Sequence, residues 1–373
     1  MELKKVLMGI VINVPPLYNL QVYSFYRRQF KRYLQMHHIP NVPQKGEKEY
    51  LSKWGGAFYA KIEPYSYRLF TRYTDSANIV PENIGRCFLE TKLNPVVMRP
   101  VYEDKNMFPY FIGKDVVPVT ILCRMNGGPL LDGNFQPATN DIKAYFDNHT
   151  PLIIKPSVGS SSGQGIHLFT WSEKEGAYIS QKDNSRLTKE FLMSYNANFV
   201  LQEAVEQHKD IARYNPTSVN TLRIAVYRSW KDEKPHVLAS IMRVGKTGAF
   251  VDNAHAGGVF VGINAENGKV GEKLFDQYGM TTSSWNGLDY AGNDFYIPHW
   301  EEIKEFVCNA SKKIIHHRLF AFDICLNAEA KPMLIEYNLN SFSYWLFMFT
   351  GQNPLGNYTD EIIEFCRTRE RRS

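Results

Sequence analysis

Leu152-Ile153-Ile154-Lys155-Pro156-Ser157-Val158-Gly159-Ser160-Ser161-Ser162-Gly163-Gln164-Gly165-Ile166-His167-Leu168-Phe169 is the stretch that decides how this chain folds. Its ends, Leu152 to Lys155 and Ile166 to Phe169, are short apolar runs that predict two buried strands. The middle is serine and glycine. Small residues let backbone N–H groups close over phosphate oxygens, and glycine reaches the dihedrals such a loop needs. Lys155, at the mouth of the loop, supplies a point charge for an α- or β-phosphate. Strand, loop and returning strand make a hairpin. The segment is therefore neither a Walker A loop, which closes on Gly-Lys-Ser/Thr, nor a GxGxxG turn leading from a strand into a helix. A flexible surface hairpin has the same composition, so the surrounding chain has to discriminate.

Downstream, Phe199 to Gln202, Thr221 to Tyr227, Val237 to Val244 and Gly258 to Ile263 read as further strands. Glu301 to His316 has helical spacing, and Ala321 to Leu326 pairs with Met333 to Tyr337 across the turn Asn327 to Lys331. Upstream, strands are predicted at Pro95 to Met98 and Val119 to Cys123, with a helix starting near Asp104, while residues 17–75 mix Tyr, Arg and Lys at helical spacing. Strands joined in hairpins, without regular alternation with helices, predict an α+β fold with antiparallel sheets. The divisions expected are a helical N-terminal lobe over 1–80, a first nucleotide-binding part over 81–150, a glycine-loop subdomain over 151–205 and a C-terminal subdomain over 206–373.

Three groups of residues outside the loop bear on chemistry. Glu336 and Asn338 are two apart on a strand, so both leave one face of the sheet, and Asp323 on the neighbouring strand can face them. Two carboxylates and an amide oxygen are hard ligands that suit Mg²⁺, and charges on strands this apolar need a partner. Gln202-Glu203-Ala204-Val205 runs from a strand into a bend that can offer backbone groups to an adenine edge, with Asp210 placed for ribose hydroxyls. Asn220, Arg223, Arg243 and Asn253, followed by Gly257-Gly258, form a basic and amide set; Arg223 lies inside an apolar strand, an expensive place for an idle guanidinium. Each group alone also fits surface decoration or salt bridging.

Composition narrows the classes. Of the 373 residues 44% are hydrophobic and 22% charged, which describes a globular chain, and the 14% of aromatics suits large buried clusters. A net charge of +5 is too weak to imply a nucleic-acid partner. The basic run Arg27 to Arg32 reads as the solvated face of a helix, and Arg367 to Arg372 as a frayed end. Five scattered cysteines without a CxxC pair argue against a disulfide framework or a zinc site, and Cys325 reads as core. The apolar run Val6 to Val14 follows Lys4-Lys5 but is interrupted by Asn13 and closed by Pro15-Pro16, with no small-x-small cleavage site. No segment approaches a membrane span, so a cytoplasmic protein is expected.

Taken in order, these motifs resemble the ATP-grasp superfamily, and within it the sugar-transfer-associated branch. The phrases that carry the resemblance are Lys155-Pro156 with its glycine loop, Leu201-Gln202-Glu203, Asn215 to Arg223, Val251-Asp252-Asn253 with Gly257-Gly258-Val259, and Leu334-Ile335-Glu336-Tyr337-Asn338. Glu103-Asp104-Lys105 resembles the Asp-Lys that opens the nucleotide-binding half. One departure stands out: Ile297-Pro298-His299-Trp300 is present, but Asn286 to Asn293 replaces the His-Pro-Asp-Thr-Gly-like phrase usual before it. The resemblance implies ATP held between two antiparallel sheets. Lys105 and Lys155 would contact the α- and β-phosphates, with Ser160, Ser161, Ser162, Gly163 and Gly165 closing over the β- and γ-phosphates. Gln202, Glu203, Ala204 and Val205 would hold adenine, Asp210 the ribose, and Asp323, Glu336 and Asn338 the Mg²⁺. Arg223, Arg243 and Asn253 would do catalytic work. The activity implied is a carboxylate–amine ligase acting through an acyl phosphate on small, sugar-linked substrates. A kinase of a sugar or cyclitol hydroxyl and a non-catalytic nucleotide- or carbohydrate-binding protein are the alternatives.

Overall fold

The computed structural model describes residues 15–147, 149–159 and 163–368. Ser160, Ser161, Ser162, the run Val6 to Val14 and residues 369–373 lie outside the described residues.

The N-terminal lobe is helical. Helix α1 (Pro15–Met36) starts on two prolines, whose fixed φ suits a first turn, and turns Val22, Tyr26, Phe30, Tyr33 and Leu34 inward. Arg27, Arg28, Lys31 and Arg32 are exposed on its other side, the solvated face expected of that run. Helices α2 (Glu47–Phe58) and α3 (Tyr65–Phe70) pack against it.

Six strands form the first antiparallel sheet: β1 (Thr120–Arg124), β2 (Leu131–Asp132), β3 (Leu152–Pro156), β4 (His167–Ser172), β5 (Ala177–Ser180) and β6 (Phe199–Glu203), in the order β2-β1-β6-β3-β4-β5. The sheet draws strands from both sides of residue 150. A second sheet has β7 (Leu222–Arg228), β8 (Pro235–Val244), β9 (Val259–Ile263), β10 (Val270–Phe275) and β11 (Thr281–Thr282). After a small hairpin of β12 (Ser284–Trp285) and β13 (Leu288–Asp289) and helix α4 (Trp300–Lys313), β14 (Leu319–Leu326) and β15 (Pro332–Asn338) complete it in the order β11-β10-β9-β8-β7-β14-β15. Helices α5 (Tyr344–Phe349) and α6 (Thr359–Thr368) follow.

The period of two along β7 sets the layers. Leu222, Ile224 and Val226 face back with Phe322 and Ile324 against Trp300, Ile303 and Val307 of α4. Ala225 and Tyr227 face front, in one core with Ala321, the N-terminal helices and α5. The front face is thus covered at one end by the N-terminal lobe, and what remains of it faces the first sheet.

Two details differ from the reading of the sequence. Val96–Met98 is a 3₁₀ turn and not a strand, because Pro95 precedes it and Pro100 starts the next short helix. Around Asp104 the chain makes only short turns, with the Asp104 side chain accepting the Asn106 N–H. All five cysteines are free, with Cys325 fully buried, and no helix among the described residues is long and apolar enough to cross a membrane.

Candidate functional site

A cleft of about 480 Å³ opens between the two sheets. Its floor is the second sheet, where Arg223, Glu336 and Asn338 line the cleft and Asp323 lies beneath. Arg223 on β7 stands opposite Asp323 on β14, which stands opposite Glu336 on β15, with Asn338 paired to Ala321 one step on. Period two puts all of these on the front face.

Asp323 is fully buried and accepts two parallel hydrogen bonds from Arg223, from Nε at 2.8 Å and Nη2 at 2.7 Å. Arg243 on β8 lies 3.3 Å from the same carboxylate. Burial pushes this carboxyl up; the two guanidiniums overcome that and hold it down at about 2. Arg243 also donates to the Thr221 hydroxyl from Nε at 2.8 Å and Nη2 at 2.6 Å, and that hydroxyl donates to Asp252. The Thr221 N–H reaches the same Asp252 oxygen at 2.8 Å. Burial raises the Asp252 carboxyl, with Arg243 and Thr221 acting against it.

The two lysines are held differently. The Lys105 ammonium lies 3.4 Å from Glu336, and the buried Lys155 ammonium reaches the Ile335 carbonyl at 3.5 Å. Burial, then the neighbouring Lys105, lower Lys155 to about 8, with Glu336 opposing. Above them Gly159 and Gly163 line the cleft, at φ 64° and 72°. A Cβ on Gly159 would meet no atom of the described residues within 4 Å, and its φ is one that glycine adopts freely. Gly165 does not line the cleft; its carbonyl takes the Tyr195 hydroxyl at 2.5 Å and ties down the base of the loop.

At the other end Gln202, Glu203 and Val205 line the cleft and Ala204 does not. The N–H groups of Glu203 and Ala204 are spent on the carbonyls of Val119 and Pro151, at 2.9 and 2.7 Å, and the Gln202 amide donates to Pro118 O at 3.1 Å. Asp210 is not among the lining residues; its half-exposed carboxylate sits 3.8 Å from His208 Nδ1, and Glu203 is the carboxylate that lines that end. Asn253 lines the cleft and accepts the His255 N–H at 3.1 Å, which caps the turn Ala254–Ala256. Asn220 is structural: buried, it donates to the carbonyls of Ile211 and Asn215.

Thr221 and Asp252 belong to the site although neither was singled out from the sequence. The far wall was missed as well. Asn340, Ser341, Ser343 and Trp345 line it, and Ser341 and Ser343 both have φ of 63°. Glutamates hold its backbone: half-buried Glu103 accepts Leu339 N–H, buried Glu90 accepts Ser341 and Phe342 N–H, and buried Glu82 accepts Trp345 N–H. These contacts span 236 to 263 positions, so no local signal marks them.

Does this cleft fit a magnesium-bound triphosphate? Burial, and after it the neighbouring Lys105, depress Lys155 against the pull of Glu336, and a bound polyanion would oppose both. Glu336 and Asn338 offer oxygens at the same surface. Among the described residues no group of three or more His, Cys, Asp and Glu side chains is spaced to hold a metal, and Asp323, outside the lining, has both oxygens on Arg223. The donors suit a hard cation bound partly through phosphate and water.

Two antiparallel sheets closing on a glycine loop, lysines and an acid–amide row define an ATP-grasp protein. A family model described as sugar-transfer associated ATP-grasp matches residues 86–362, and the chain belongs to that family. Among solved structures it is similar to the L-amino acid ligase from Bacillus licheniformis, with TM-score 0.35 and 10% identity, covering 70% of this chain and 49% of that one. It therefore spans about half the length of that ligase. A D-cycloserine synthetase matches with TM-score 0.40 and 10% identity, over 74% of this chain and 73% of that one. The D-alanine-D-alanine ligase from Coxiella burnetii gives 0.37 and 11%, over 74% and 60%. Similarity at this level transfers neither substrate nor reaction. No curated protein matches the chain.

Proposed function

We propose that the protein is an ATP- and magnesium-dependent carboxylate–amine ligase that forms an amide through an acyl phosphate. The observation that carries the reading is the pair Lys105 and Lys155 beneath a glycine loop, sharing one cleft with Arg223, Glu336 and Asn338. The lysines would hold the α- and β-phosphates, the loop from Gly159 with Ser160, Ser161, Ser162 and Gly163 the β- and γ-phosphates, and the bend at Gln202 to Val205 the adenine. Ribose falls to Glu203, since Asp210 is not part of the lining. Glu336 and Asn338 would hold Mg²⁺, which when bound offsets phosphate charge, while the expected third ligand, Asp323, lies outside the lining with both oxygens on Arg223 and would hold the arginines instead.

In the first step a carboxylate oxygen attacks the γ-phosphorus and ADP leaves. Arg223 and Arg243 keep N–H donors beyond those given to Asp323 and Thr221, and these meet the charge that develops on the transferred group. In the second step an amine displaces phosphate from the acyl carbon. Positioning and electrostatics are the protein's contribution, because phosphoryl transfer asks little covalent work of it. We place the enzyme in the cytoplasm, where ATP is made, and its substrates among sugar-linked acids and amines of surface polysaccharide or sugar-conjugate synthesis. The expected divisions at 80, 150 and 205 remain part of the same proposal.

The test is incubation with ATP, Mg²⁺ and hydroxylamine across a panel of carboxylates, uronic acids and amino acids first, reading ADP and hydroxamate together. Hydroxamate with stoichiometric ADP supports the ligase. ADP with phosphate transferred to an acceptor hydroxyl, seen by phosphorus NMR, replaces it with a kinase.

A further inference from the structure

We propose that Asp252 is the general base of the second step, taking the proton from the attacking amine. This rests on the ligase reading above. Four carboxylates line the cleft: Glu103, Glu203, Asp252 and Glu336. Glu103 is committed to the Leu339 N–H, Glu203 stands at the adenine end, and Glu336 faces Lys105 where the cation belongs. Asp323, beneath the floor, has both oxygens gripped by arginine. Asp252 combines a cleft position beside Arg243 with an open oxygen. Its Oδ2 accepts both Thr221 hydrogen bonds, while Oδ1 makes no hydrogen bond among the described residues and has Arg243 Nη2 3.6 Å away.

That neighbour fixes the register of the chemistry. Arg243 holds the phosphoryl group of the acyl phosphate, so the acyl carbon lies within a few ångströms of the guanidinium and Oδ1 borders the path of a nucleophile. The carboxylate is firmly seated: a Cβ on Gly245 would fall 2.6 Å from Val251 O, and one on Gly258 2.7 Å from Asp252 O, so neighbouring strands press its backbone into place. In the step itself the neutral amine nitrogen bonds to the acyl carbon. The carbon–oxygen bond to phosphate breaks, its electron pair leaving with phosphate, and the proton shed by nitrogen passes to Asp252 Oδ1 and then to solvent.

Hydroxylamine separates this role from the rest, since its nitrogen is neutral and strongly nucleophilic at neutral pH. For Asp252→Asn we expect the ratio of amide, formed with the best amine of a panel of amino acids and amino sugars, to hydroxamate to fall by about a hundredfold or more relative to the native enzyme. Equal loss of both products, or loss of neither, overturns the assignment. If Asp252→Asn no longer binds Mg-ATP, the ratio of amide to hydroxamate in Thr221→Val decides, whatever both products lose through Arg243: a ratio lowered about tenfold supports the base, and an unchanged ratio rejects it. Failure of the native enzyme to make any hydroxamate across the carboxylate panel would sink the ligase reading instead, whatever Asp252 does.

Discussion

Two arginines and two lysines face one cleft, and the fold treats them in opposite ways. Arg223 and Arg243 come from the second sheet and are met at hydrogen-bond distance by Asp323 and Thr221, with Asp252 behind. Lys155, from the first sheet, is offered one carbonyl at 3.5 Å, and Lys105 a carboxylate at 3.4 Å. Charge compensated by the protein fixes geometry. Lys155, which makes no ion pair among the described residues, is kept for a ligand, and its ammonium, lowered by burial and then by Lys105, records what that costs the folded chain.

The largest effect that tests this contrast is on stability. Asp323→Asn strands two buried guanidiniums and should lower the unfolding free energy by about 3–5 kcal/mol, read by urea denaturation. A loss below about 1 kcal/mol would show that the arginines are not held by this acid. Glu336→Gln sharpens the contrast from the other side. Its side chain is 31% exposed and borders the cleft, so stability should move by less than about 1 kcal/mol while turnover falls by about 10²–10³. Steady-state ADP release measures the second number, and unchanged turnover would remove Glu336 from the metal site. Lys155→Met comes next. Mg-ATP affinity should weaken about ten- to a hundredfold, the value of one charge-assisted contact, while the melting temperature holds or rises because a buried, poorly paired cation is gone. A falling melting temperature would mean that Lys155 is structural.

Much of this was legible in the sequence. The strands declared themselves as apolar runs, and the common face of Glu336 and Asn338 followed from their spacing of two. The arginine pairing was not legible, since Arg223 and Asp323 are 100 positions apart and only the β7–β14 register joins them. Asp252 sat in a quoted motif but was passed over for Asn253, whose side chain turns out to cap a turn. Val96-Val97-Met98 misled because β-branched residues favour strands, and the flanking prolines overruled them. The wall at 339–346 left no trace at all, because glutamates distant in the chain shape it.

The smallest effect is the dependence of nucleotide affinity on pH. In the free protein burial and Lys105 hold Lys155 at about 8, against the opposing pull of Glu336, and a bound triphosphate raises it again by supplying the missing anion. The nucleotide therefore binds the protonated form, and binding above that value takes up a proton. Affinity should fall about twofold between pH 7 and 8 and reach about a tenfold loss by pH 9, one unit above the free value. Two neighbours stay silent in that window: the last phosphate ionisation is complete well below it, near pH ~6, and burial pushes the Cys325 thiol up to about 12. Isothermal titration of Mg-ATP across pH 7 to 9.5 measures the slope directly, and Lys155→Met should flatten it. A native profile that stays level through pH 9, or a variant that keeps the slope, would place the titrating cation elsewhere and erase the distinction between the compensated arginines and the waiting lysine.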